Sequence, residues 1–325
     1  MKNHFLILLI LFLFTVLGAG AASDEFEIKH ADSLEASEEQ IDVQGNILIK
    51  YNNAIIEAPA GIIKTNRDGK PDKALFSNRA KIRLKDRRIE ADKLIVSIQE
   101  QIIYAEGNTS SELIDKDKNP IVITSDYQEL HWNGENANAH GNVKTIYQDT
   151  KITADQANVI YKNKKPYQAV FLGNAKQAYL QQQNHETFAN ELVFDIDTNN
   201  IHAFKEVKST VWPYKTKTKE EQNPILLSAD ELFIDHKTGE VTGKGGVNKA
   251  RLTYEDTKGE SNEALLLRDS KNEKPEKIIF KGSADVTQLD KELTSEEVVF
   301  SFVDKKLTSN TMTNVRPKTL IFKKD

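Results

Sequence analysis

Apolar and polar residues alternate one for one along most of this chain. In "NRAKIRLKDRR" (78–88), Ala80, Ile82 and Leu84 alternate with Arg79, Lys81, Arg83 and Lys85. "ELVFDID" (191–197) and "EVVFSFVD" (297–304) repeat the pattern with Leu192, Phe194, Ile196, Val298, Phe300 and Phe302. A period of two gives a strand one dry face and one wet face. Turn residues fall between such stretches at 66–71, 116–120, 162–166, 197–200 and 236–239, where successive hairpins need them. No window beyond the N-terminal segment has a helical apolar face. The prediction is therefore an all-β, antiparallel chain. Two hydrophilic inserts, 213–224 and 254–263, read as solvated loops.

A longer period overlies the short one. Gly-Asn or a similar pair recurs at Gly45-Asn46, Ser77-Asn78, Gly107-Asn108, Gly141-Asn142, Gly173-Asn174, a degenerate Lys205, Gly245-Gly246 and Gly282-Ser283. The steps are 32, 30, 34, 32, 32, 40 and 37 residues. Between the pairs lies a second mark, apolar-x-small-acidic. It reads "IEAD" ending at Asp92, "ITSD" at Asp126, "ITAD" at Asp155, "LSAD" at Asp230 and "LTSE" at Glu296, with weaker copies ending at Pro59 and Asn190. Glycine, Asn and Asp tolerate backbone shapes that β-branched residues resist, so in mid-strand they mark bulges or sharp bends. A hairpin per repeat with a bend in each arm predicts a sheet folded over on itself. It would grow in one dimension and end in unpaired edges.

Composition narrows the setting. The 325-residue chain opens "MKNHFLILLILFLFTVLGAGAASDEF", with Lys2 ahead of a thirteen-residue apolar run, 5–17, and then small residues. That run is short of the roughly 20 residues that span a bilayer comfortably, and Ala19-Gly20-Ala21 suits signal-peptidase cleavage. The expectation is a signal peptide over 1–22 and a mature chain over 23–325, exported to the periplasm. The alternative is an inner-membrane anchor through 5–17. The absence of cysteine excludes disulfides, thiolate metal sites and a lipidated cysteine after the leader. Net charge is −5, or −6 once the leader carrying Lys2 is removed, so attraction to nucleic acid is not expected. Seven scattered histidines form no pair at metal-ligand spacing, and no ordered nucleophile motif occurs. No catalytic residue, metal or cofactor is expected.

The segments "ADSLEASEEQIDVQGNILIKYNNAIIEA", "GNVKTIYQDTKITADQANVIYKNKKPYQAVFLGNA" and "LLSADELFIDHKTGEVTGKGGVNKA" resemble the LptA/OstA (organic-solvent-tolerance-like) group. The resemblance spans 31 to about 302. It implies an elongated β-jellyroll, or β-taco, of stacked V-shaped hairpins, here about 32–40 residues per repeat. The length suggests a longer or doubled unit, with sub-lobes at about 23–205 and 206–325. The large C-terminal barrel of LptD proteins is not seen before "TLIFKKD". An LptC-like relative would keep its N-terminal helix in the inner membrane.

The resemblance further implies carriage of lipopolysaccharide, or a similar lipid, between the two membranes through an apolar groove, without catalysis. The inward alternates expected to line it are Ile47, Ile49, Ile56, Ile82, Leu84, Ile89, Leu94, Val96, Ile152, Val159, Phe171, Leu192, Phe194, Leu232, Ile234, Ile278, Phe280, Val298 and Phe300. The same residues equally suit the core of a closed sandwich. Other β-jellyroll transport components, or further copies of the chain end to end, would dock by strand pairing at the sheet edges, expected around 44–51 and 298–311. A structural or adhesive exported β-repeat protein without lipid cargo is the other reading of the same pattern.

Overall fold

A computed structural model describes residues 26–132, 135–214, 217–269, 274–310 and 318–321. It is nearly all β, as the alternation predicts: twenty-four strands in one sheet. The first row is broken into β1 (Phe26–His30) and β2 (Ser33–Ala36), both paired to β3 (Gln40–Tyr51). Unbroken rows follow: β4 (Ala54–Thr65), β5 (Pro71–Arg83), β6 (Arg87–Ser97), β7 (Ile102–Ile114), β8 (Pro120–His131), β9 (Asn136–Tyr147) and β10 (Thr150–Lys162). Two broken rows come next, β11 (Lys165–Leu172) with β12 (Ala178–Gln181), and β13 (His185–Ala189) with β14 (Glu191–Asp195). β15 (Ile201–Val211) and β16 (Ile225–Ile234) are whole. β17 (Val241–Lys244) with β18 (Ala250–Tyr254), and β19 (Thr257–Ser261) with β20 (Glu263–Arg268), are broken. The sheet ends with β21 (Pro275–Gln288), β22 (Lys291–Ser301) and the pair β23 (Leu307–Asn310) and β24 (Lys318–Ile321). Each row is antiparallel to its neighbours.

The two sequence marks turn out to be halves of one device. In six rows a two-residue bulge faces a single residue on the next strand. The bulges are Gly45-Asn46, Asn78-Arg79, Gly107-Asn108, Gly141-Asn142, Lys205-Glu206 and Gly282-Ser283, and both residues of each have positive φ. The residues opposite are Pro59, Asp92, Asp126, Asp155, Asp230 and Glu296, the last positions of the second mark. Each extra residue bends its strand, and the bends line up into a crease that divides every row into two arms. The remaining slots, Gly173-Asn174 and Gly245-Gly246, are where β11/β12 and β17/β18 break.

Side chains bind the crease lengthwise. Asp92 accepts from Asn108 Nδ2 at 2.7 Å, and Asp126 from Asn142 Nδ2 at 2.9 Å. At the broken rows the acid takes backbone amides instead. Asp155 Oδ2 accepts from Asn174 and Ala175 N–H at 2.7 and 2.6 Å, and Asp230 Oδ2 from Gly246 N–H at 2.8 Å. These amides hold the exposed Asp155 carboxyl below its ordinary pKa. A substitution at Gly141 tests the crease. Its φ is +75°, and a Cβ there would run into the Asp126 carboxylate. A left-handed L-residue costs about 1–2 kcal/mol, and displacing the carboxylate adds to it. Gly141→Val is expected to lose at least about 2 kcal/mol in denaturant unfolding. Gly69→Val, at a turn with similar φ and open space, should lose less; equal losses would show that the crease yields freely.

Three expectations are corrected. The insert 254–263 is not a solvated loop, since it holds β19 in the sheet. Its inward set is Thr257, Gly259 and Ser261, too small and polar to show as alternation, and Gly259 lies under the Phe280 ring. The stretch 44–51 is not an edge, because β1 and β2 cover β3. Likewise β23 and β24 cover β22, so 298–301 is internal. Residue 311 lies outside the described residues.

Candidate functional site: the interior between the arms

Strand alternation puts one lengthwise apolar track on each arm. On the first arm Ile49, Ile56, Ile82 and Ile89 are successive register partners, and the line continues through Ile123, Ile152, Leu180, Leu227 and Leu252 to Val286. On the second arm the corresponding line runs from Val43 through Phe76, Leu94, Phe171, Leu192, Leu232 and Phe280 to Val298. Eighteen of the nineteen expected lining residues are 4% exposed or less in one apolar cluster, and Leu84 is half-buried against it.

The interior is shut. Where the arms' dry faces meet, the side chains of each fill the space of the other. A void of about 10 Å³, the scale of a single water, lies between Ile121, Ile123, Thr145, Tyr147, Thr150 and Ile152 of the first arm and Val159, Ala169, Phe171, Phe194 and Ile196 of the second. The open side of the V, opposite the crease, is closed by a seam of hairpin tips. Tyr51 meets Trp132 edge-on, with ring centroids 5.2 Å apart, and Tyr147 meets Phe194 at 5.7 Å. Arg87 donates to the His131 carbonyl at 3.1 Å and lies over the Tyr161 ring. Lys116 pairs with Asp197 at 3.0 Å, and Lys305 with Glu255 at 2.7 Å. Arg268 donates to the Pro213 carbonyl at 2.6 Å. In these contacts a first-arm tip meets a second-arm tip two to five rows further along the sheet. The arms are therefore coiled past each other, not stacked in register.

Sequence reasoning missed a polar face inside the first arm. Thr109 and Ser125 share a hydroxyl bond at 2.9 Å, as do Thr187 and Ser209 at 3.0 Å. Gln182 Nε2 donates to Thr150 Oγ1 at 2.6 Å. Tyr147 OH donates to Asp115 Oδ2 at 2.7 Å, and the backbone N–H groups of Asp117 and Asn119 donate to Asp115 Oδ1. Burial pushes the Asp115 carboxyl upward, but those donors outweigh it and leave the pKa below the ordinary value. The Tyr147 phenol is raised well above its usual range by burial and by the carboxylate beside it. The signal was present in "TIYQDTKIT", where Thr145, Tyr147, Thr150 and Ile152 all occupy the inward phase of the alternation.

The wet face of the alternation at 79–88 is basic, and one base of that stretch points the other way. Arg79 and Lys81 pair with Glu90, and Arg83 with Glu57, so three bases of the outer surface share two acids. Arg87 turns inward and is buried at the seam. Among the described residues no group of three or more His, Asp or Glu is placed to hold a metal. No helix among them is long and apolar enough to cross a membrane; the run 5–17 lies outside them.

A single β-sheet creased lengthwise around an apolar interior defines the class of protein. Residues 122–240, from β8 to the turn before β17, match the family described as LptA/(LptD N-terminal domain) LPS transport protein. The likeness to the LptA/OstA group thus lies in that segment, which includes all of the void's lining but Ile121, and the Thr187–Ser209 pair. Among solved structures, LptH of Pseudomonas aeruginosa is described as the LptA-homologous periplasmic component of the conserved lipopolysaccharide transport device. It aligns with 42% of this chain and 93% of its own at 16% identity and a TM-score of 0.34, a score from which nothing follows. No curated protein matches the chain.

Proposed function

We propose that the chain is a periplasmic bridge protein, exported by a cleaved leader, that carries lipopolysaccharide or a similar lipid from the inner to the outer membrane between its two arms. The observation that carries this reading is the pair of apolar tracks crossing the rows of the sheet in register. Acyl chains gain about 0.8 kcal/mol per methylene on leaving water. A chain that enters between the arms replaces wall-to-wall contact with wall-to-lipid contact, so parting the arms around it wets little apolar surface. The nineteen inward residues are proposed as the lining, and no chemical step is assigned.

The sheet ends support docking to other β-jellyroll components or to further copies. β1/β2 and β23/β24 each have a strand on one side only among the described residues. The stagger of the arms leaves part of an inner face unmatched at each end. Leu34, in register with the fully buried Val43, is 43% exposed, and Leu293, partner of the fully buried Val286, is only partly buried. An incoming strand pair would complete both hydrogen bonds and burial.

The closed interior favours a second reading, an exported structural or adhesive β-repeat protein. One experiment separates the two. The purified full chain is titrated with an environment-sensitive acyl probe and then with lipopolysaccharide. Saturable probe binding reversed by lipopolysaccharide is expected; no binding, or none that the lipid displaces, leaves the structural reading.

A further inference from the structure

The hydroxyl face of the first arm is self-satisfied at most positions. Thr109 with Ser125, and Thr187 with Ser209, close on each other. Thr150 accepts from Gln182, and Tyr147 donates to Asp115. Thr145 differs. Its side chain lies between Ile123 and Ile152 in register, is 5% exposed, and its Oγ1 has no hydrogen-bond partner. It lines the void between the arms. An unmade hydrogen bond on a buried hydroxyl is a standing cost to the fold, relieved by whatever supplies the partner. The opposite wall at that point is hydrocarbon: Val159, Ala169, Phe171 and Phe194.

We propose that this section of the interior seats the linkage end of an acyl chain, with the Thr145 hydroxyl donating to the carbonyl oxygen of its ester or amide. The proposal rests on the lipid-carrier reading and sharpens it: an apolar track alone holds any hydrocarbon, whereas an unpaired donor beside the void distinguishes an acyl group from an alkane. The void marks a gap between the walls, and a ligand enlarges it as the arms part. The chain's methylenes then run along the apolar wall while the carbonyl meets the hydroxyl face.

The test uses the full chain and displacement of an environment-sensitive apolar probe by two ligands of equal heavy-atom length, a medium-chain methyl ester and the matching alkane. Wild type should bind the ester more tightly by about five- to tenfold, the worth of one net hydrogen bond. Thr145→Val should abolish that preference with alkane affinity unchanged, and Thr145→Ser should retain it. Thr145→Val should also unfold at no lower denaturant concentration than wild type, since no bond in the empty protein is lost; a marked drop would give the hydroxyl a structural role and overturn the proposal. Equal binding of ester and alkane to wild type, or an ester preference that survives in the valine variant, overturns it while the carrier reading stands. If neither ligand displaces the probe, both fall together.

Discussion

Covalently joining residues 116 and 197 is expected to slow or stop lipid uptake without unfolding the protein. Lys116 and Asp197 are tips of opposite arms, 3.0 Å apart across the seam and both well exposed. An exposed pair of this kind contributes about 0–1 kcal/mol, so replacing it with cysteines should leave stability nearly unchanged. The chain has no cysteine of its own, and Lys116→Cys with Asp197→Cys can be bridged selectively by a short bis-methanethiosulfonate, which expels methanesulfinate and leaves reducible disulfides. The interior behind this point is shut, so a lipid reaches it either by parting the seam or by threading from an end of the sheet. The bridge spans the rows around the void and blocks the first route alone. An uptake rate at least about tenfold lower in the bridged protein, restored by reductive cleavage of the linker, is the expected result for a gate of this type. An unchanged rate would place the route at the sheet ends.

The seam itself was beyond the reach of the sequence, for a physical reason. Alternation reports which way a side chain points from its own strand, and it identified Ile49, Phe171, Phe280 and the other inward residues correctly. It cannot report how far one arm slides past the other, because that offset comes from coiling accumulated over many rows. Tyr51 and Trp132 are 81 residues apart by numbering and five rows apart in the sheet; nothing local in either tip announces the contact. Whether the inward residues stand around an open trough or fill one another's space depends on the same offset.

The crease was legible because its chemistry is local. Gly107 and Asn108 can both take positive φ, and the residue facing such a pair, an acid in five of the six rows, follows it in the same order each time. Even Lys205, a poor copy of the mark, adopts the same left-handed pair with Glu206. At the second slot the bulge falls one residue later than expected, on Asn78-Arg79, since Asn rather than Ser accepts that conformation most easily. Misreadings arose where inward residues were small or charged. β19 hid behind Thr257, Gly259 and Ser261, and Arg87 hid in a basic run. The edges were misplaced because β1 and β2 are short and lack glycine, their break falling at Ala31-Asp32. Asp32 nevertheless plays the part of the later acids, accepting from Asn46 Nδ2 at 2.9 Å.

Phe171→Ala is expected to cost about 3–5 kcal/mol, the usual range for emptying a buried phenylalanine site, and yet to bind a medium-chain alkyl probe more readily than wild type. Phe171 is 1% exposed, stands between Ala157 and Leu192 in register, and forms part of the void's wall. Removing its ring merges that void with a ring-sized space. An apolar cavity of that size is empty in water and accepts apolar guests. Phe76→Ala supplies the control, with the same chemistry at a fully buried site on the same track, away from the void. It should lose similar stability with no gain in binding of an extended chain. If both variants gain binding equally, the interior is a uniform core that takes up solvent-averse molecules wherever it is hollowed. If Phe171→Ala alone gains, the space between β9 and β11 is the place where the arms already come apart most easily. Phe171→Leu, with a smaller loss, keeps the comparison measurable should the alanine variant fail to fold.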